Sequence, residues 1–190
     1  MRHRREDVVA RALQVLDDHG LADLTMRRLG TELGIQPSAL YHHFPSKQVL
    51  LAAVADEILE RGPRSSSEVL SDEPWEGRAR AACHTLRDAC LAWTDGAEVV
   101  ATARAFGLGA RAPYDELVGV LVTGGVDVDL AGSAARTLLH FVLGHATDEQ
   151  THRQAGSVGA IDTDPATDFT ADFATGVDLV LAGLQARVRR

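Results

Sequence analysis

Apolar residues recur along this chain at three- and four-residue steps, the period of helices packed on one another, so an all-α fold is expected. From about Arg4 to His19, Val9, Ala12, Leu13 and Leu16 fall on one face. Glu6 and Asp7 stand in the first turn, where the helix dipole favours anions, and Gly20 ends the run. Thr25 is placed to cap a second helix that sets Met26, Leu29 and Leu33 on one side before Gly34 stops it. Ile35 then anchors a turn, Pro37 takes a first helical position, and Pro45 closes a short third helix. On that helix Leu40 and Phe44 lie one turn apart and point inward, leaving Ser38, Ala39, Tyr41 and His42 outward. Ser46 caps a fourth helix over 46–61, whose stripe of Leu50, Leu51, Val54, Ile58 and Leu59 runs until Gly62-Pro63 breaks it.

Ser65-Ser66-Ser67 and Asp72-Glu73-Pro74 mark a polar boundary. Beyond it a long helix is expected from about Trp75 to Thr94, with Ala82, Leu86, Ala89, Cys90 and Trp93 inward and Asp95-Gly96 at its end. Shorter pieces run through Phe106 and from about Tyr114 to Val122. Gly124-Gly125 introduces a helix from about Leu130 to Glu149, residues 153–165 read as a mobile loop, and a last helix covers about Asp168 to Val188. Phe169, Phe173, Val177, Val180, Leu181 and Leu184 form its apolar face, with small residues between that permit close approach.

Gly34, Ile35 and Pro37 together specify a tight helix-turn-helix joint that makes the third helix protrude. An outward surface of small residues, Tyr41 and His42 suits a DNA major groove, where hydroxyls and imidazoles bond phosphates or base edges and a methyl can meet thymine. The alternative is a plain three-helix bundle with an incidental surface. Arg27 and Arg28 at the start of the second helix read either as solvated surface or as phosphate and base contacts. Lys47, the only lysine of the chain, opposes the dipole of the helix it begins, and a phosphate at that helix start accounts for it.

Charge alters the picture only once it is divided. Of the net −8, residues 1–47 carry +1 and residues 48–190 carry −9, so the acidity belongs to the second part. With 45% hydrophobic and 24% charged residues among 190 and no run that spans a bilayer, the expectation is a globular cytoplasmic protein without a membrane segment. Cys83 and Cys90 stand one heptad apart, roughly 10 Å along a helix, too far for a disulfide, and read as buried thiols.

Thr25-Met26-Arg27-Arg28-Leu29, Leu33-Gly34-Ile35, Leu40-Tyr41-His42-His43-Phe44-Pro45-Ser46-Lys47 and Leu50-Leu51 resemble the N-terminal domain of the TetR family of bacterial transcriptional regulators over roughly residues 5–60. The resemblance implies that Arg27 faces a base edge and Thr25 the backbone. It implies that Tyr41, His43 and Lys47 hold phosphates, while Gln36, Pro37, Ser38, Ala39 and His42 line the reading surface. Asp95-Gly96-Ala97-Glu98-Val99, His140-Phe141-Val142-Leu143-Gly144 with Glu149-Gln150 and His152, and Phe173, Gly176-Val177-Asp178-Leu179 and Gly183-Leu184 are similar to the C-terminal domain of the tetracycline repressor branch. His140 and Asp148 have counterparts in that branch. Val100 stands where its magnesium-binding histidine would be, and Ala82 replaces the polar residue that grips the drug, so the resemblance does not carry tetracycline over as the ligand.

The expected domains are therefore a helix-turn-helix DNA-binding domain over 1–47, a linking helix over 46–61, and a larger helical ligand-binding and dimerisation domain over 63–190. Leu86, Cys90, Trp93, Val100, Ala103, Phe106, Leu139 and Val142 are candidates to line an apolar cavity, with His84, His140, His145 and Asp148 as polar points. His145, Asp148, Glu149 and His152 share a helix face, as a metal site requires and as a charged rim beside a loop also would. The rim is the reading taken, so neither metal nor cofactor is expected. The function expected is that of a homodimeric repressor that binds a palindromic double-stranded operator and releases it when a small-molecule inducer fills the second domain. A regulator acting without a ligand, as an activator or constitutively, remains open. A small helical enzyme using His140, His145 and Asp148 would lack a nucleophile elbow or phosphate loop and leave the first domain unexplained.

Overall fold

The computed structural model describes residues 4–63, 73–162 and 167–188, and among these it is helical without a strand. The helices are α1 (Arg5–Asp23), α2 (Met26–Leu33), α3 (Pro37–Tyr41), α4 (Lys47–Arg61), α5 (Trp75–Leu91), α6 (Gly96–Ala105), α7 (Ala112–Thr123), α8 (Val128–Ser157) and α9 (Phe169–Val188). They form two compact units. The first runs to Gly62 and takes in Ala89–Ala110; the second holds Pro63–Asp88 and the chain from Arg111 onward, so the division falls inside α5.

In the first unit the apolar stripes meet as their spacing requires. Val8, Ala12, Leu13 and Leu16 of α1, Leu29 of α2, Leu40 and Phe44, and Leu50, Val54 and Ile58 of α4 are all buried. The Arg5 guanidinium lies 4.8 Å from the centre of the Phe44 ring and covers the core's edge. Gly20 leaves helical geometry at φ +78°, so the regular helix ends there as expected, and a separate turn beyond the kink continues to Asp23. That turn is held by Asp95, whose carboxylate accepts from the Leu21 N–H at 2.7 Å. Thr94, expected inside α5, lies outside it. Its N–H and hydroxyl both donate to Asp17, and Asp95-Gly96 opens α6 instead of closing α5. The Asp56 carboxylate accepts from the Ala110 N–H (2.7 Å), so the segments at both ends of α6 are tied to α1 and α4.

In the second unit α8 packs between α7 and α9. It starts at an Asp127 cap that accepts from the Asp129 and Leu130 N–H groups, and it runs to Ser157, well past the expected end at Glu149. Residues 153–157, expected in a loop, are its last turns, stabilised by the Arg153–Glu149 ion pair one turn apart. Residues 163–166, part of that expected loop, and 64–72, most of the polar break, lie outside the described residues. Asp168 caps α9 by accepting from the Thr170 and Ala171 N–H groups. Gly176 of α9 leaves the room that the Phe141 ring of α8 occupies.

Glu149 corrects another expectation. It belongs to no charged rim: it is 1% exposed and accepts from the Arg87 guanidinium of α5 at 2.7 and 3.1 Å. Arg87 also stands 5.1 Å from the centre of the Phe173 ring, which His84, Phe141 and His145 surround. Cys83 and Cys90 are buried and not joined in a disulfide, and burial pushes both thiols up to about 12.

Candidate nucleic-acid interface

Local sequence builds the candidate surface in three steps. Thr25 caps α2, its hydroxyl oxygen accepting from the Arg28 N–H at 3.1 Å. At the far end of that helix Gly34 adopts the left-handed conformation (φ +65°) that stops it, and its N–H turns back to Gly30 and Thr31. Gly30 then matters for closeness, because a β-carbon there would lie 2.9 Å from the Ile35 carbonyl oxygen and 3.4 Å from Pro37. The joint between α2 and α3 is tight for want of side chains. Pro37 starts α3, which is only five residues long. The sequence expectation carried this helix to Pro45, but the His43 and Phe44 N–H groups both bond the Leu40 carbonyl, closing the chain into a turn. Ser46 next caps α4, accepting from the Val49 N–H at 3.3 Å, and Lys47 is its first helical residue.

The candidate residues divide by exposure. Thr25, Arg27, Gln36, Ser38, Tyr41 and His42 are exposed, and Pro37, Ala39, His43 and Lys47 are half-buried. Tyr41, at 50%, is a large ring held out of the core while its neighbour Leu40 is fully inside. The two arginines separate. Arg28 lies 3.6 Å from Asp23, whereas Arg27 and Lys47 form no ion pair among the described residues and remain available for anions. Arg27, Gln36 and Pro37 come together on one concavity of about 600 Å³, which Gly30, Thr31, Gly34 and Ile35 also line. Helix α1 supports this face from behind through an Arg11–Glu32 ion pair.

The candidate ligand residues fall in both units. Cys90, Trp93, Val100 and Phe106 belong to the first, where Cys90 and Val100 are buried, Trp93 half-buried and Phe106 56% exposed. Leu86, His140, His145 and Asp148 belong to the second, where Leu86 is buried, His145 is half-buried against Phe141, Phe169 and Phe173, and His140 and Asp148 are exposed. A concavity of about 460 Å³ in the second unit is lined by other residues, among them Glu76, Arg80, Asp178 and Gln185. With Glu149 engaged by two arginines, the described residues contain no group of three or more side chains placed for a metal ion.

Arg87 and its pairing with Glu149 escaped the sequence reading although a signal existed. Arg87 lies on the same α5 stripe as Cys83 and Cys90, and an arginine on an apolar stripe calls for a buried acid. Glu149 lies on α8 one turn from His145 and Ala146, the side that faces inward.

Residues 8–54 match the family model described as bacterial regulatory proteins, tetR family, and residues 70–166 match the tetracyclin repressor-like C-terminal domain. The chain is 30% identical to the tetracycline repressor protein class A from transposon 1721 of Escherichia coli, over 95% of this chain and 89% of that protein. Among solved structures, Mycobacterium smegmatis BioQ is 41% identical with a TM-score of 0.87, covering 97% of this chain and 99% of that one. A structure of BioQ with its double-stranded DNA operator is 39% identical, with a TM-score of 0.82 over 96% and 98% of the two chains. A single-residue variant of TetR from Acinetobacter baumannii AYE in complex with minocycline is 26% identical, with a TM-score of 0.76 over 98% and 99%.

Proposed function

We propose, from the premise that the chain belongs to the tetR family of bacterial regulatory proteins, that it is a homodimeric repressor whose hold on an operator is relieved by a small molecule. Membership makes it a DNA-binding transcriptional regulator and not an enzyme. The observation that carries the proposal is the convergence of Arg27, Gln36 and Pro37 on one concavity, together with the exposed ring of Tyr41 on the same short helix as Pro37. Arg27 presents a fork of donors to a base edge. Gln36, Pro37, Ser38, Ala39 and His42 supply the close-fitting surface, and Thr25, Tyr41, His43 and Lys47 hold phosphates. The α4 N-terminus and the Lys47 ammonium act on the same anion.

Two such faces reach successive major grooves when two copies of the chain pair. The surface assigned to pairing is the outer side of α8 and α9, where Leu179 is 71% exposed and Gly144 and Gly183 have open space above them. An isologous contact there produces a palindromic operator. The small molecule is assigned to the C-terminal helices, with His140, His145 and Asp148 of α8 as polar candidates. Its effect is a shift of population toward a dimer whose two α3 helices no longer match the half-site spacing. Tetracycline with magnesium is not the expected ligand, because Val100 and Ala82 lack the polar atoms that such a complex needs. Selection from a randomised duplex library tests the proposal: wild-type protein retains one palindromic sequence, and Tyr41→Ala or Lys47→Ala loses it. Retention of no duplex even at low salt overturns it. A compound screen reading both melting temperature and duplex release tests the second half, since a ligand selective for the folded protein raises the former and drives the latter.

A further inference from the structure

The concavity between Arg27 and Gln36 has one wall that no contact so far assigned accounts for. Thr31 stands one turn beyond Arg27 on α2, is exposed, and faces the same hollow. Its hydroxyl donates back to the Arg27 carbonyl at 3.2 Å, so its proton is already used within the helix. The methyl is the part left for a partner. Beside it, Gly30 and Gly34 contribute no side chain, and Ile35 adds a second apolar surface. Thr31 and Ile35 thus bring methyl-sized apolar surface to the same hollow of about 600 Å³ that Arg27 and Gln36 line with long hydrogen-bonding side chains. In a major groove the apolar feature of matching size is the C5-methyl of thymine, which stands next to the donors and acceptors that Arg and Gln read.

We infer that Thr31 is a specificity-determining residue, whose methyl receives a thymine methyl of the operator half-site next to the bases addressed by Arg27 and Gln36. The inference rests on the DNA-binding reading above and adds a helix to it: α2 reads sequence through its middle as well as through Arg27.

The test uses the full-length protein and the duplex that it selects from a randomised library. Each thymine of one half-site is replaced in turn by deoxyuridine, which removes the methyl and keeps the base pair. Wild-type protein is expected to lose about fourfold in affinity at one position, the factor equivalent to ~0.8 kcal/mol for one buried methyl-sized group. Thr31→Ser keeps the back-bonded hydroxyl and removes the methyl. It should bind the thymine duplex about fourfold more weakly and be indifferent to deoxyuridine at that position. Thr31→Val keeps a methyl and should keep the sensitivity, which separates readout from an effect on folding. Equal deoxyuridine responses of wild type and Thr31→Ser at every position, or no sensitive position, overturn the inference while leaving DNA binding intact. Failure of wild-type protein to select any duplex overturns both.

Discussion

Arg27 and Arg28 are neighbours with different company, and that difference sets what each substitution should do. Arg28 spends part of its charge on Asp23. Arg27→Ala should cost about 1–3 kcal/mol of binding to the preferred operator and much less on unrelated duplexes, as selection followed by competition binding would read. Lys47→Ala should weaken all duplexes alike and flatten the dependence of log affinity on log salt by about one unit. Thr25 adds a folding role: Thr25→Ala removes the acceptor for the Arg28 N–H and should cost about 1 kcal/mol in urea unfolding. The exposure of Tyr41 and His42 was legible in the sequence, because Gly34 and Pro37 fix where α3 begins and Leu40 with Phe44 fix which way it turns. Thr31 was not legible. Periodicity places it on a surface, and only the hydrogen bond to the Arg27 carbonyl reveals that its methyl is the free end.

Elements were legible in their positions and less so in their lengths. Caps and glycines announce where α2, α4 and α9 begin, since Thr25, Ser46 and Asp168 each accept from N–H groups of their own first turns. Ends that depend on distant partners were hidden. The separate turn beyond the Gly20 kink is held by Asp95, far along the chain, which supplies an acceptor to Leu21. The last turns of α8 look like loop in composition and are helical because Glu149 is anchored on both Arg87 and Arg153. Removing the acid leaves Arg87, 6% exposed, without its buried partner. Glu149→Ala should therefore destabilise the second unit by about 3–5 kcal/mol, measured by chemical unfolding. At the α8–α9 contact, Gly176→Ala places a methyl in the space of the Phe141 ring and should cost about 1–3 kcal/mol by forcing that ring aside.

At the scale of the molecule the charge division fits the proposed function: residues 1–47 are near neutral and carry Arg27 and Lys47, while the acidity of residues 48–190 would be repelled by a duplex. The thiols report on the whole fold. Cys83 and Cys90 are pushed up to about 12 by burial, from an ordinary 9.0. They should resist thiol reagents at neutral pH until the chain unfolds. A folded value raised above the unfolded one adds stability that is complete below the ordinary thiol range. That stability should drain away as pH rises from about 9 toward 12, by up to ~1.4 kcal/mol per pH unit for each thiol. Unfolding midpoints across that interval check the sign.

The buried Arg87–Glu149 pair also bears on how such a chain can change over generations. Loss of the acid alone leaves Arg87 without its buried partner, and loss of Arg87 alone leaves the buried Glu149 with Arg153 only. Both replaced together by apolar residues of similar bulk would be nearly neutral or stabilising. Descent through single substitutions is therefore blocked at these two positions in a way that it is not at Arg80 and Asp178, an exposed pair that either member can leave cheaply. The two residues should be inherited as one character, kept together or exchanged together among sequences related to this one.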